Sequence, residues 1–379
     1  MKIRTLREKI NFIPLRQGDV WLWIATFCLL GLGILMVFST TAVISQENYG
    51  NSLAMLWRHL FHIGLGLILA FIILQIETVQ LDTWGRKLLM VSVVLLVLVA
   101  IPSIGQTAGG ARRWLGFGPV RIQPGEFIKL FVLIYFAGYI GRYSRKMCFF
   151  IPGIMIPFAI LGLLGGLFLW QPDFGTVVVI TLVVLAQLFT ASNLWHLVTL
   201  GISVAGLFAV AVATSGYRMR RFKAFLDPFA DPNASGYQLI QSLIAVGSGG
   251  FVGTGIGGST QKLYYLPASH TDFIYAVIGE ELGLVGAVVI LSLFVLIAYR
   301  GVKIAFHFAD DAYRCALAIG CTALIVFPAM LNMGVVLGLL PTKGLVLPFV
   351  SYGGTAIMGS LAAMALLIRL SEEGISNEE

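Results

Sequence analysis

Long apolar runs alternate along this chain with short segments that hold nearly all of its charge. A helix rises ~1.5 Å per residue, so about 20 consecutive apolar residues are needed to cross a hydrocarbon core ~30 Å thick. The pattern predicts ten such spans, at 20–44, 60–76, 88–104, 127–140, 149–170, 176–190, 194–214, 273–298, 312–339 and 345–368. The fourth and sixth are short. The predicted fold is all-α, a polytopic membrane protein of about ten transmembrane helices with one long loop, 215–272, between the seventh and eighth. Residues 1–19 form an N-terminal segment, 20–370 the membrane domain and 371–379 a short acidic tail with no evident role.

Composition sharpens this picture. Hydrophobic residues make up 58% of the 379 and charged residues 11%, against roughly 25% charged in soluble domains. The formal charge of +7 does not point to nucleic acid, because the basic residues sit in clusters between apolar runs and not on one soluble face. Membrane lipid headgroups are the expected partner for most of them. Cys28, Cys148, Cys315 and Cys321 lack any metal or redox spacing and are expected to be buried packing residues.

Lys2, Arg4, Arg7, Lys9 and Arg16 precede the first span, which is too long for a signal peptide, so a retained helix with a cytoplasmic N-terminus is expected. On that orientation the inner segments hold thirteen basic residues and the outer ones five, leaving aside five in the long loop. The asymmetry agrees with the positive-inside rule. The segments rich in Gly, Pro and charge then all lie on the outer face, and loop chemistry concentrated on one face marks a working surface. No repeat of the transporter kind is evident.

The third outer loop carries Gly109, Gly110, Ala111, Arg112, Arg113 and Trp114, then Arg121, Gln123, Pro124, Gly125 and Glu126, with Lys129 one turn into the next span. Glu126 and Lys129 can pair at i,i+3. The functional alternative is that Arg112, Arg113, Arg121 and Lys129 receive a phosphate-rich ligand, for which arginine's planar fork is suited. Gln171 to Gly175 places Asp173 in a tight turn. In the long loop, 236–246 reads as an interfacial helix with Tyr237, Ile240 and Ile244 on one face. Gly253, Gly255 and Gly258 match a dinucleotide pattern literally, but no strand precedes them, and a flexible loop is the expectation.

Asp272 ends that loop where the eighth span begins. It is either an N-cap or a general base whose pKa is raised at a partly dehydrated mouth. Glu280 and Glu281 lie deeper in that span, where a basic partner or a proton path would explain them. Lys343 lies on the outer rim between the last two spans, and in the segment that follows, which includes Ser351, Pro348 and the pair Gly353 and Gly354 interrupt the tenth. Broken backbone at that depth is tolerated where it lines a cavity or is buried in protein. The residues alone therefore describe a basic outward cavity with a few carboxylates, which suits either an enzyme or a carrier of an anionic lipid-linked substrate.

Four of these segments, in order, resemble the SEDS family (shape, elongation, division and sporulation proteins). They are Gly110 to Trp114 with Gln123 to Glu126, Gln171 to Gly175, Leu266 to Asp272 with Gly279 to Gly283, and Leu340 to Gly354. Thr342 and Lys343, with Tyr217 to Arg220 and Asp227 to Asp231, resemble the division branch; an elongation or sporulation role is the alternative within the family. The resemblance implies a bacterial inner-membrane enzyme, located at the division septum, that polymerises lipid II into peptidoglycan glycan strands. It implies a class B penicillin-binding protein and other divisome membrane proteins as partners, and a divalent cation, Mg or Mn, supporting activity.

Asp272 matches the family's essential aspartate and is expected to be catalytic. Arg112, Arg113, Trp114, Arg121, Glu126, Lys129, Asp173, Lys343 and Ser351 are the expected substrate-binding residues, with no metal ligands assigned. Gly125 stands where the family often has serine, and Tyr264 and Ala268 stand where related division proteins often have acids. A lipid II flippase using the same cavity is the competing function.

Overall fold

The computed structural model describes residues 18–108, 111–117 and 120–375. The basic N-terminal residues Lys2 to Arg16, Gly109 and Gly110 of the third outer loop, and the last four residues of the tail lie outside the described residues.

Among the described residues, twelve α-helices and one small sheet follow in order. They are α1 (Val20–Tyr49), α2 (Ala54–Leu74), α3 (Thr78–Ala100), β1 (Gly105–Ala108), β2 (Ala111–Phe117), β3 (Val120–Ile122), α4 (Pro124–Tyr143), α5 (Ile156–Trp170), α6 (Phe174–Phe189) and α7 (Leu194–Ala213). After these come α8 (Gly216–Leu226), α9 (Tyr237–Ser248), α10 (Ile274–His307), α11 (Ala312–Val336) and α12 (Gly354–Ile375). Among the described residues nine helices are long and apolar enough to cross a membrane, and α6, with 16 residues, is a shorter apolar helix beside them. The all-α polytopic fold is as expected. Cys315 and Cys321 are buried, whereas Cys28 and Cys148 are exposed and so are not packing residues as expected. An apolar run in lipid has no need to turn every small side chain inward.

α4, α11 and α12 form the buried centre of the bundle, while α7 buries only Leu200 and Val204 and sits at its rim. The two described ends of the chain meet: the Asp19 N–H donates to Ser371 Oγ at 3.1 Å. Asp19 also pairs with Arg300, and Glu373 accepts from the Thr78 N–H at 2.9 Å while facing Arg314 at 3.3 Å. The tail's first residues, Ser371 to Glu373, are therefore the last turns of α12 and tie the terminal end of the bundle.

The opposite end, the mouth, holds the irregular segments. The loop after α3 is a three-stranded antiparallel sheet of order β1-β2-β3, with Gln106 opposite Trp114 and Gly116 opposite Arg121. The tenth span proves shorter than its apolar run, because residues 337–353 carry no regular helix and α12 begins only at Gly354.

α10 is broken at Gly283, whose φ of 65° and ψ of −163° lie outside helical space. The glycine loop after α9, expected to be flexible, fills that break. The Thr254 N–H donates to the Glu280 carbonyl at 2.9 Å and the Gly255 N–H to the Glu281 carbonyl at 3.0 Å. In return, the Leu284 N–H donates to the Gly250 carbonyl at 2.9 Å. A methyl on Gly283 would come within 2.5 Å of the Gly253 nitrogen, so the glycines permit backbone to approach backbone. Every polar group of a broken transmembrane helix needs such a partner. α9 buries Leu239, Ser242 and Ala245, and not the face of Tyr237, Ile240 and Ile244.

Candidate active site

The mouth brings together side chains from five separate stretches of sequence. Asp272 lies at its centre, half-buried, in the turn just before α10. The N-cap of α10 is Phe273, with no side-chain cap hydrogen bond. The capping alternative for Asp272 is thus removed, and its carboxylate is left without a structural task. Gly344 packs against it: a methyl there would come within 2.9 Å of Asp272 Oδ2. Burial raises the Asp272 carboxyl to about 6, against the opposing pull of the Arg221 and Arg113 guanidiniums.

Arg113 reaches across from β2. It pairs with Asp173 at 3.7 Å and donates to the carbonyls of Pro172 and Gln171. Asp173 caps α6, accepting from the Thr176 N–H at 3.3 Å and its hydroxyl at 2.8 Å. The turn expected from Gln171 to Gly175 is thus also the anchor of Arg113. Arg112, its neighbour, projects from the other face of the strand, as alternation requires. It donates to the Ala100 carbonyl at 3.2 Å, at the end of α3. Trp114 pairs with β1, and Arg121 is exposed on β3. Of the hairpin's expected ligands, Arg113 alone joins Asp272.

Lys343 and α8 complete the positive side. Lys343 Nζ lies 4.4 Å above the Phe174 ring, and the Arg218 guanidinium lies 5.1 Å from the same ring. Burial, and then the nearby Arg218 charge, lower Lys343 to about 8. Arg221 donates to the Thr342 carbonyl at 3.2 Å. Arg218, Arg221 and Phe174 were not among the expected site residues. The basic run of α8 was visible in sequence, and its i,i+3 spacing puts Arg218 and Arg221 on one face.

Glu126 and Lys129 pair with each other at 2.8 Å, one turn into α4. Gly125 lies against the Phe168 ring, and a methyl there would be 3.9 Å from Asp173 Oδ2. Ser351 binds backbone: its hydroxyl donates to the Thr271 carbonyl at 2.6 Å and accepts from the Leu347 N–H at 2.8 Å. Tyr264 and Ala268 have φ of 67° and 59°. Among the described residues no three His, Cys, Asp or Glu side chains converge as a metal site.

Residues 20–375 match the profile of a family described as cell cycle protein, which unites FtsW, RodA and SpoVE. The chain belongs to this SEDS family. It is 41% identical to a probable peptidoglycan glycosyltransferase FtsW of Coxiella burnetii, over 94% of this chain and 96% of that one. It is 38% identical to stage V sporulation protein E of Bacillus subtilis, over 93% and 96% of the two chains. Among solved structures it superposes with a TM-score of 0.77 on a chain of a peptidoglycan synthase complex coordinating polymerization and crosslinking, at 30% identity over 94% and 98%. The rod shape determining protein RodA of Thermus thermophilus gives a TM-score of 0.69 at 26% identity, over 94% and 97%. The SEDS mouth is the place where the four sequence segments converge.

Proposed function

We propose that this chain is a peptidoglycan glycosyltransferase that polymerises lipid II, an undecaprenyl-pyrophosphate-linked disaccharide peptide, at the division septum. The mouth faces the extracytoplasmic side of the inner membrane and both termini face the cytoplasm. A class B penicillin-binding protein works beside it as transpeptidase, within a set of divisome membrane proteins.

The observation that carries this reading is an uncommitted, half-buried carboxylate ringed by cations. In the reaction a sugar 4-hydroxyl attacks the donor's anomeric carbon. The new C–O bond forms as the bond to pyrophosphate breaks, with inversion, and the leaving group keeps the electron pair. Asp272 takes the hydroxyl proton. Its raised pKa suits it to that role near neutral pH. The departing pyrophosphate is a stable anion, so it needs cations more than an acid, and a second catalytic carboxylate is unnecessary. Arg113, Arg221, Arg218 and Lys343 supply the positive charge in a setting poor in water. Arg112 spends its charge on the end of α3.

The donor set does not fit a divalent ion held by the protein. Asp173 is engaged with Arg113 and Thr176, which leaves Asp272 as the spare carboxylate beside the Arg113 and Arg221 guanidiniums. A divalent cation would be expected to arrive with the pyrophosphate, since magnesium commonly binds through substrate phosphates.

The test is polymerisation of labelled lipid II by the purified chain with its penicillin-binding partner. Asp272→Asn keeps the shape and removes the base, so glycan synthesis should fall by roughly 10²–10⁴-fold. Near-normal polymer from that variant would refute the assignment. Precursor translocation in vesicles without any polymer would favour a flippase instead.

A further inference from the structure

Two segments of irregular backbone carry the base and the cation of this mouth. One ends in Asp272; the other runs through Lys343 and Gly344 to Ser351. Neither has a ladder of its own to hold it. Between them, from inside the bundle, comes Asn332 of α11, 1% exposed. Its Nδ2 donates to the Asp272 carbonyl at 2.7 Å and to the Leu345 carbonyl at 2.5 Å. One amide group thereby bridges residues 60 and 13 positions away from it.

We propose that Asn332 is a positioning residue for the glycosyl transfer: its forked amide sets the carboxylate-bearing turn against the Lys343 segment. The inference rests on the proposed function.

The chemistry supports a specific role for the two donors. Asn332 Oδ1 is buried and has no partner. A buried acceptor left unsatisfied is costly, and an apolar side chain of similar volume would avoid that cost. What the amide adds is two N–H groups diverging from one planar nitrogen. Aspartate cannot supply them, and a hydroxyl supplies one. Both acceptors belong to residues outside regular helix, so these carbonyls have no other ladder to join. The Ser351 bond to the Thr271 carbonyl fixes the same seam on its other side, and the Tyr352 N–H donates to the His270 carbonyl at 2.9 Å. With those bonds in place, loss of Asn332 loosens the seam without opening it.

The bundle contains its own control. Gln187 of α6, 0% exposed, forks in the same way to the Leu133 carbonyl at 2.8 Å and the Ala316 carbonyl at 3.1 Å. Its Oε1 is likewise without a partner. Its acceptors, Leu133 of α4 and Ala316 of α11, are both within regular helix, and neither is itself a residue of the mouth.

The experiment compares Asn332→Leu with Gln187→Leu in the full chain with its partner, on labelled lipid II. The charged and titratable groups facing Asp272 are Arg113 of β2 and Arg221 of α8, with Asp173 beyond Arg113. Lys343 lies one residue from Gly344 and His270 two before Asp272. All are present in both variants.

Asn332→Leu should lower kcat by roughly 100-fold, the order a misplacement of ~1 Å produces, with KM for lipid II within about threefold. Water admitted to the seam hydrates Asp272 and weakens the burial that raises its carboxyl, so the acid limb of the rate profile should move to lower pH than in the wild type. Gln187→Leu should lower thermal stability in detergent while leaving the kcat and the limb in place. Should Asn332→Leu give no folded protein, Asn332→Ser, with one donor, must show the same downward limb.

An unmoved limb with wild-type kcat overturns the inference, and so does an equal kcat loss in Gln187→Leu. Polymerisation by Asp272→Asn would instead sink the functional reading itself, so the two failures are distinguishable.

Discussion

Asp272 and the Glu280–Glu281 pair lie within nine residues on the same stretch of chain, yet the protein treats their carboxylates in opposite ways. Glu281, 0% exposed, accepts from Lys262 Nζ at 2.7 Å and from Ser39 Oγ at 2.7 Å. Glu280 accepts from the Thr260 N–H at 2.9 Å, the Thr260 hydroxyl at 3.0 Å and the Ser259 hydroxyl. These two are structure: they pin the loop of residues 249–262 to the broken α10. Asp272 forms no side-chain hydrogen bond or ion pair among the described residues, although Arg113 and Arg221 are near enough to pull on it. A carboxylate with every lone pair engaged holds a fold together, whereas one left free in a basic, dehydrated place is available for chemistry.

The comparison breaks most visibly at Glu281. Removing one partner of a buried ion pair leaves the other charge uncompensated, at about 3–5 kcal/mol. Glu281→Ala should therefore lower the detergent melting temperature sharply, with Lys262 stranded, and activity should fall with the folded fraction. Asp272→Asn should do the reverse, with unchanged melting and no polymer. Adding Lys262→Met to Glu281→Leu should recover much of the stability. If Glu281→Ala melted like the wild type while losing polymerisation, the division of labour drawn here would be wrong.

The contrast also marks how far the sequence could be read. The helices were legible because lipid leaves the backbone few choices, and apolar length reports them directly. Proline and glycine marked the ends of segments for the same reason. Asp272, Lys343 and Asp173 were legible as polar residues at the mouth of apolar spans. The choice between Arg112 and Arg113 was not, because a single-residue alternation decides it and a bulge between Gln106 and Thr107 shifts the register. The glycine loop read as flexible because its partner, the break at Gly283, lies thirty residues beyond Gly253 and looks like an ordinary helical glycine. Phe174 read as a turn residue, since nothing local announces two cations gathering over its ring.

A finer test separates the two titrating partners of the mouth. Asp272 must be deprotonated to act as base, so kcat/KM should rise with pH through about 6. Lys343 must be protonated to meet pyrophosphate, so kcat/KM should fall through about 8. Lys343→Arg keeps its charge well beyond that range. The acid limb should stay and the alkaline limb should vanish. In kcat, which reports the bound complex, the wild-type alkaline limb should lie higher, because the bound anion stabilises the ammonium. An alkaline limb near 8 that survives in Lys343→Arg would assign it to another group.

The smallest expected effect lies in the hairpin, where neighbouring arginines of one strand stand on opposite sides of the same distinction. Arg113 faces Asp173 and the centre, so Arg113→Ala removes charge from the pyrophosphate side and frees Asp173 beside it. A loss of roughly tenfold or more in kcat/KM is expected, in line with ~1.5–3 kcal/mol for a charge-assisted bond. Arg112 instead satisfies the Ala100 carbonyl, and Arg112→Ala should cost roughly 1 kcal/mol of stability with kcat/KM nearly unchanged. The pair differ by one position and share composition, strand and charge. Equal kinetic losses at both would mean that substrate reaches the outer face of the sheet, and that the cationic ring extends past the side chains gathered around Asp272.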